Sequence, residues 1–316
     1  MLRALYMKHA CAVYISSGLS SVAQRVAAAA SAIPRAAVVD TFTDEAYARS
    51  SVKIVAEPEA LLAAAQAATI QALSIVDLSQ EPHPAPHPRQ GAVDMVSFMP
   101  LSERSGAAIC LELEECDELA WQLGRSLDGH CPVLMYGRRA ARTLVETRRG
   151  TSFFRSTKAQ SAREATAELP LDFGAAVLNA SADSTAAAGT GGSHSPALAS
   201  VLPQRSGVAI IGAQPYVTNF NICVARASLA DCKAAERLVR SQFGVQVMAL
   251  PHAGETHEIG CNLQASEEAD SPDHDAVLAA VAGCLPEGAS VERSYVIGLT
   301  PAQAVEIAEE ALKSEN

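Results

Sequence analysis

The stretch Ala12-Val13-Tyr14-Ile15-Ser16-Ser17-Gly18-Leu19-Ser20-Ser21-Val22-Ala23-Gln24-Arg25-Val26-Ala27-Ala28-Ala29-Ala30-Ser31-Ala32-Ile33-Pro34 changes its hydrophobic period partway along. Ala12–Ser16 reads as a strand. Leu19, Val22, Val26, Ala29, Ala30 and Ile33 then recur at helical spacing until Pro34, which lacks a backbone donor, stops them. Ala37-Val38-Val39 and Val52-Lys53-Ile54-Val55 read as two further strands, and Leu61 to Ile75 as an Ala-rich helix started by Glu57-Pro58. The order is therefore β-α-β-β-α.

Past a Pro/His loop at 80–91, the pattern predicts a strand over Ala92–Phe98 ended by Pro100. A helix from about Glu112 to Leu127 and a strand over Pro132–Tyr136 follow. The acidic run Glu112, Glu114, Glu115, Asp117 and Glu118 falls on the first turns of that helix, where its dipole and solvent would favour it. Residues 179–205 are small and turn-forming and cannot repay their ordering entropy, so they read as a flexible insertion or linker between an N-terminal part, 1–178, and a C-terminal part, 206–316. The second part repeats the logic with strands near Val208–Ile211, Val217–Cys223, Gln246–Leu250, Glu258–Leu263 and Val291–Ile297, and helices over Leu229–Arg240 and Asp275–Cys284. Its last helix carries Thr300 as N-cap, Pro301 in the first turn and Gln303 in the reciprocal capping position. Both parts approximate split β-α-β units, an α+β fold, with a ligand groove expected between them.

Composition narrows the function classes. With 316 residues, 49% of them hydrophobic, the chain can build a sizeable core. A formal net charge of -11 argues against a nucleic-acid partner. The cluster Arg138, Arg139, Arg142, Arg148, Arg149 is a local exception that suits either a small anionic ligand or an ordinary solvated helix face. The eight cysteines form no C-x-x-C pair and read as buried reduced thiols, which points to a reducing compartment, the cytoplasm, with organellar import left open. No run approaches the ~20 apolar residues of a membrane helix.

The densest polar constellation is His83-Pro84-Ala85-Pro86-His87-Pro88-Arg89-Gln90-Gly91, running into Ala92-Val93-Asp94. Prolines at 82, 84, 86 and 88 forbid a helix and hold the loop extended, and Gly91 permits a close backbone approach before the strand. A histidine near its unperturbed pKa can accept and return a proton, and an adjacent arginine can hold a carboxylate. The residues by themselves leave three readings open: a proton-transfer site, a solvent-exposed loop, or a metal site from His83, His87 and Asp94.

The same segment, with Phe98 and Pro100, resembles the H-P-R-x-G-A-x-D-x-x-x-F-x-P signature of formiminotransferase domains, and His83 matches a histidine four positions earlier in that family. Val133-Leu134-Met135-Tyr136-Gly137-Arg138-Arg139-Ala140-Ala141-Arg142 is similar to the family's V-Y-L-Y-G-x-A-A-R segment. Asp172-Phe173-Gly174 is similar to its D-F-G; Gly207, Asn219-Phe220-Asn221-Ile222 and Cys261-Asn262-Leu263 resemble its glycine, F-N-I and T-N-L positions. Two departures stand out. Tyr14-Ile15-Ser16-Ser17-Gly18 stands where the family has N-F-S-E-G, and Asp40-Thr41-Phe42-Thr43-Asp44 where it has D-V-D-A-G, while Arg49 matches a later arginine. These changes resemble the plant and algal single-domain branch.

The resemblance implies two ferredoxin-like subdomains without an appended cyclodeaminase part. It implies a folate-dependent transferase that moves a formimino group from N-formimino-L-glutamate to tetrahydrofolate, the co-substrate, in one-carbon metabolism and histidine degradation, with no metal. His87 is the implied base. Arg89, Asp94, His83, Asp40 and Arg142 are the implied substrate-binding residues, and Gly174, Gly207, Asn219, Asn221 and Asn262 the implied folate contacts. The partners are then a folate and an amino-acid derivative, with neither nucleic acid nor membrane, and a homodimer as the oligomer to consider. The departures, Phe42 above all, keep a second reading open, a folate-binding protein or pseudoenzyme without efficient transfer.

Overall fold

The structure, a computed structural model, describes residues 9–45, 48–80, 89–102, 105–151, 166–167, 169–175, 200–201, 205–252 and 256–314. His83 and His87 lie outside the described residues, as does nearly all of the expected insertion. In chain order come β1 (His9–Ile15), α1 (Ser20–Ser31), β2 (Ala36–Asp44), β3 (Arg49–Ala56), α2 (Pro58–Ile75), β4 (Val93–Pro100) and α3 (Ala107–Ser126). Next are β5 (Val133–Tyr136), α4 (Leu144–Arg149), the two-residue strands β6 (Thr166–Ala167) and β7 (Ser200–Val201), and β8 (Ala209–Ala213). The remainder is β9 (Thr218–Ala225), α5 (Leu229–Phe243), β10 (Gln246–Pro251), β11 (His257–Leu263), α6 (His274–Cys284), β12 (Ser290–Ile297) and α7 (Pro301–Ser314).

Contacts divide the chain into two compact units. Unit 1 holds Met1–Pro100, Glu112–Gln214 and Val305–Asn316; unit 2 holds Leu101–Leu111 and Pro215–Ala304. In unit 1 the sheet order is β2-β3-β1-β4-β8-β5. The first four strands pair antiparallel, and β8 joins β4 and β5 in parallel. Strand 209–213, which the sequence places at the head of the C-terminal part, thus hydrogen-bonds within the first sheet. One face of that sheet presents Val13, Ile15, Ile54, Val96, Phe98 and Ile211 to Val26 of α1, Leu61 and Ala68 of α2, and Leu123 of α3, all buried in one cluster. Strands β1, β4, β5 and β8 are buried on both faces, so they read as near-continuous apolar runs.

Unit 2 has the order β10-β11-β9-β12, all antiparallel, with Phe220, Ile222, Val224, Ile259 and Cys261 packed against Cys232 and Val239 of α5 and Val277 and Val281 of α6. Each unit therefore contains the strand-helix-strand-strand-helix-strand succession of a split β-α-β fold, and the α+β expectation holds. Among the described residues, no helix is long and apolar enough to cross a membrane.

One local expectation changes. Helix α3 begins at Ala107 and has no acidic residue in its first turn, so the helix dipole does not account for the run from Glu112 to Glu118. Two of those carboxylates instead pair with the arginine cluster: Glu118 with Arg139, and Glu114 with Arg138 at 3.8 Å. Asp117 accepts the Arg139 N–H at 2.7 Å, and Arg139 also lies 4.5 Å over the Trp121 ring. A hollow of about 310 Å³ lies among Glu114, Asp117, Glu118, Arg138 and Arg139. This part of the basic cluster, in the turn after β5, offsets the acidic face of α3.

Candidate functional site

The described part of the Pro/His segment, 89–94, enters β4 through a bulge. The partners of β1 skip from Tyr14–Met95 to Ile15–Val93, so Asp94 is the extra residue outside the ladder. Its carboxylate turns back on the preceding chain. Oδ1 accepts the N–H groups of Gln90 at 2.7 Å and Gly91 at 3.3 Å, while Oδ2 accepts Arg49 Nη1 at 2.5 Å. Burial works to raise this carboxyl, yet the Arg49 guanidinium and the hydrogen bonds from Arg49 and Gln90 outweigh it and hold it below the ordinary carboxylate range. Arg89 is buried as well and donates through Nη2 to the Leu78 carbonyl at 3.2 Å.

Close backbone contact holds the segment from the other side. Gly91 bridges Gly207, Ala92 N donates to Ser206 O at 2.8 Å, and Val208 N donates to Gln90 O at 3.1 Å. A Cβ on Gly91 would meet Val208 O at 2.3 Å, and one on Gly207, whose φ is +61°, would meet Gln90 O at 2.2 Å. Gly174 has the same character beside β5: its φ is +79°, a Cβ would meet Cys131 O at 2.2 Å, and its N–H donates to Asp128 at 2.9 Å. All three glycines thus gather at the starts of the parallel strands β4, β8 and β5.

Around Asp94 lies a set of groups that the sequence reading did not assemble. Arg148 of α4 is largely desolvated, which lowers its pKa; it faces Asp94, Tyr136, Arg49 and Tyr14, and its Nη2 lies 3.5 Å from Met95 Sδ. Tyr136 donates to Ser97 Oγ at 2.8 Å. Burial pushes up the hydroxyls of both Tyr14 and Tyr136. Two guanidinium groups thus lie around one carboxylate, with two tyrosine hydroxyls beside them, in a poorly solvated place. Strand alternation was the available signal: Tyr14, Met95, Ser97 and Tyr136 fall on the sheet face opposite the helices. Arg148 was visible only as one member of a cluster.

Other expected residues sit elsewhere. Arg142 donates through Nε to Met135 O at 2.7 Å and pairs with Asp172, whose carboxylate also takes the Met135 N–H at 2.8 Å. The structure thereby joins the segment after β5 to the Asp172-Phe173-Gly174 stretch. Asp40 lies on the edge strand β2, opposite Lys53 in register, and its charge acts both on Lys53 and on Tyr14 of the group around Asp94. In unit 2, Asn219 and Asn262 are cross-strand partners, and Asn221 lies opposite Gly260, so all three asparagines share the sheet face that the helices leave uncovered.

A family model described as "Formiminotransferase domain, N-terminal subdomain" matches residues 9–214. The chain is similar to the "Formiminotransferase cyclodeaminase-like protein" of Arabidopsis thaliana, with 28% identity over 311 residues and 94% of each chain covered. It is also similar to the "Formimidoyltransferase-cyclodeaminase" of Gallus gallus, with 29% identity over 147 residues, 44% of this chain and 26% of that protein.

Proposed function

Because the chain belongs to the formiminotransferase family, we propose that it is a folate-dependent transferase that moves a formimino group from N-formimino-L-glutamate to tetrahydrofolate. The observation that carries this reading is the Asp94 clamp. By fixing the N–H groups of Gln90 and Gly91, it sets the chain directly after His87-Pro88 against the start of β4. In the reaction, the folate N5 attacks the formimino carbon and forms a tetrahedral intermediate. His87 takes the N5 proton and returns it to the glutamate nitrogen as the bond from carbon to that nitrogen breaks. Arg89 and Arg142, set by the Leu78 carbonyl and by Asp172, pair with the substrate carboxylates, and Arg49 and Arg148 add positive charge beside Asp94. Asp94 serves as the positioning group, Gly174 and Gly207 supply close backbone approach, and Asn219, Asn221 and Asn262 supply polar contacts to the folate.

Phe42 favours the second reading, a folate binder without efficient transfer. Where the family carries an aspartate, this side chain is 44% exposed and can neither orient nor charge-balance a histidine. One preparation separates the two: formimino transfer is assayed while tetrahydrofolate is titrated. Transfer with saturable binding supports the enzyme, binding alone supports the binder, and failure to bind sinks both.

A further inference from the structure

The sheet face of unit 2 opposite its helices carries a hydrogen-bond chain that joins Asn221 to two residues given no role above, Glu258 and Tyr295. Asn221 on β9 lies between Gly260 on β11 and Tyr295 on β12. Its Nδ2 donates to Glu258 Oε1 at 2.9 Å, and Tyr295 Oη donates to Glu258 Oε2. The Arg293 guanidinium lies 5.1 Å from the centre of the Tyr295 ring, and His252 Nε2 lies 3.9 Å from Glu258 Oε2. Since both carboxylate oxygens act as acceptors, Asn221 must turn its NH2 toward Glu258 and keep its carbonyl oxygen on the other side. That oxygen lies over Gly260, where a Cβ would come within 3.3 Å of it. A glycine in ordinary strand conformation leaves room for the oxygen there.

We propose that Glu258 is a positioning residue that, with Tyr295, fixes Asn221 as a hydrogen-bond acceptor for the amino-pyrimidine N–H edge of a reduced folate. This rests on the folate reading of the preceding section. An amide free to rotate would offer donor and acceptor equally and read nothing; one locked by a carboxylate selects a ligand that donates. Gly260 keeps the acceptor oxygen uncrowded.

The test compares binding of tetrahydrofolate with that of its 2-desamino-2-methyl analogue, which lacks the amino donors, to the wild-type chain, Glu258→Gln and Gly260→Ala. Wild type is expected to prefer tetrahydrofolate by about tenfold, the scale of one hydrogen bond. In both variants that preference should fall toward unity. The amide introduced by Glu258→Gln can hold either end of the Asn221 amide, and the methyl added by Gly260→Ala crowds its carbonyl. A purely structural role would weaken both ligands alike and leave their ratio unchanged, which overturns the proposal, as does a wild-type ratio near one. If Glu258→Gln does not fold, Gly260→Ala, which keeps the carboxylate, decides. Wild type that binds tetrahydrofolate but loses no discrimination in the variants overturns only the positioning role; wild type that binds no tetrahydrofolate overturns the folate reading and this proposal with it.

Discussion

Asp94 and His87 belong to one stretch of sequence, and two substitutions there separate architecture from chemistry. Asp94→Asn removes the charge partner of Arg49 at a site where Asp94 is only 2% exposed, so it is expected to cost about 3–5 kcal/mol, measured by urea denaturation. The sign with pH follows from the lowered carboxyl of Asp94. A folded pKa below the unfolded one contributes stability that is present above the unfolded value and is lost as pH falls through the folded one. The gap between wild type and Asp94→Asn is therefore constant near neutrality and closes below about pH 4. His87→Ala is expected to lower turnover by about 10²–10⁴-fold while tetrahydrofolate binding persists; unchanged turnover would remove His87 from the mechanism. The sequence singled out the Asp94 carboxylate but could not give its orientation. A bulge that turns Asp94 onto Gln90 and Gly91 depends on the register between β1 and β4, which no local pattern encodes.

Among the elements, the glycines and caps give the sharpest contrasts. Gly207→Ala must displace the Gln90 carbonyl from a backbone that already has φ of +61°, so a loss of several kcal/mol is expected, of the order seen for overpacking plus backbone strain. Gly283 stands exposed near the end of α6 with open space around its Cα. Gly283→Ala should therefore raise stability by about 0.5–1 kcal/mol, and a fall in melting temperature there would contradict the helix assignment. The start of α7 was readable because capping is local: Thr300 and Gln303 do exchange their hydrogen bonds, Gln303 N to Thr300 Oγ1 at 3.3 Å and Thr300 N to Gln303 Oε1 at 3.0 Å. Thr300→Ala should cost about 1 kcal/mol. The early start of α3 and the capping box of α4 escaped the reading, since Ala107–Leu111 has no distinct start signal and α4 spans only Leu144–Arg149.

Across the whole molecule, the cysteines report how the apolar half of the composition was used. Of the eight, Cys110 and Cys284 are partly exposed and the rest are buried. Burial pushes the thiols of Cys131 and Cys261 up to about 12, which leaves almost no thiolate at neutral pH. A thiol reagent applied to native protein should therefore label Cys110 and Cys284 first and reach all eight only after denaturation; rapid labelling of Cys131 or Cys261 would contradict the two cores. The same scale shows why the five-arginine cluster could not be interpreted from its spacing. Arg138 and Arg139 meet carboxylates of α3, Arg142 meets Asp172, and Arg148 turns toward Asp94. Adjacent residues thus acquired different partners from distant parts of the chain.

The sequence by itself determined the succession of strands and helices, the α+β class and the segment on which the chemistry was placed, because hydrophobic period, proline and capping signals act over a few residues and survive without tertiary context. Only the tertiary structure decided that 209–213 completes the first sheet, that Gly91, Gly207 and Gly174 gather at three strand starts, that Arg49 and Arg148 share Asp94, and that Glu258 turns the Asn221 amide. Each of these depends on which distant strand lies alongside which. That choice is made by burying whole faces at once.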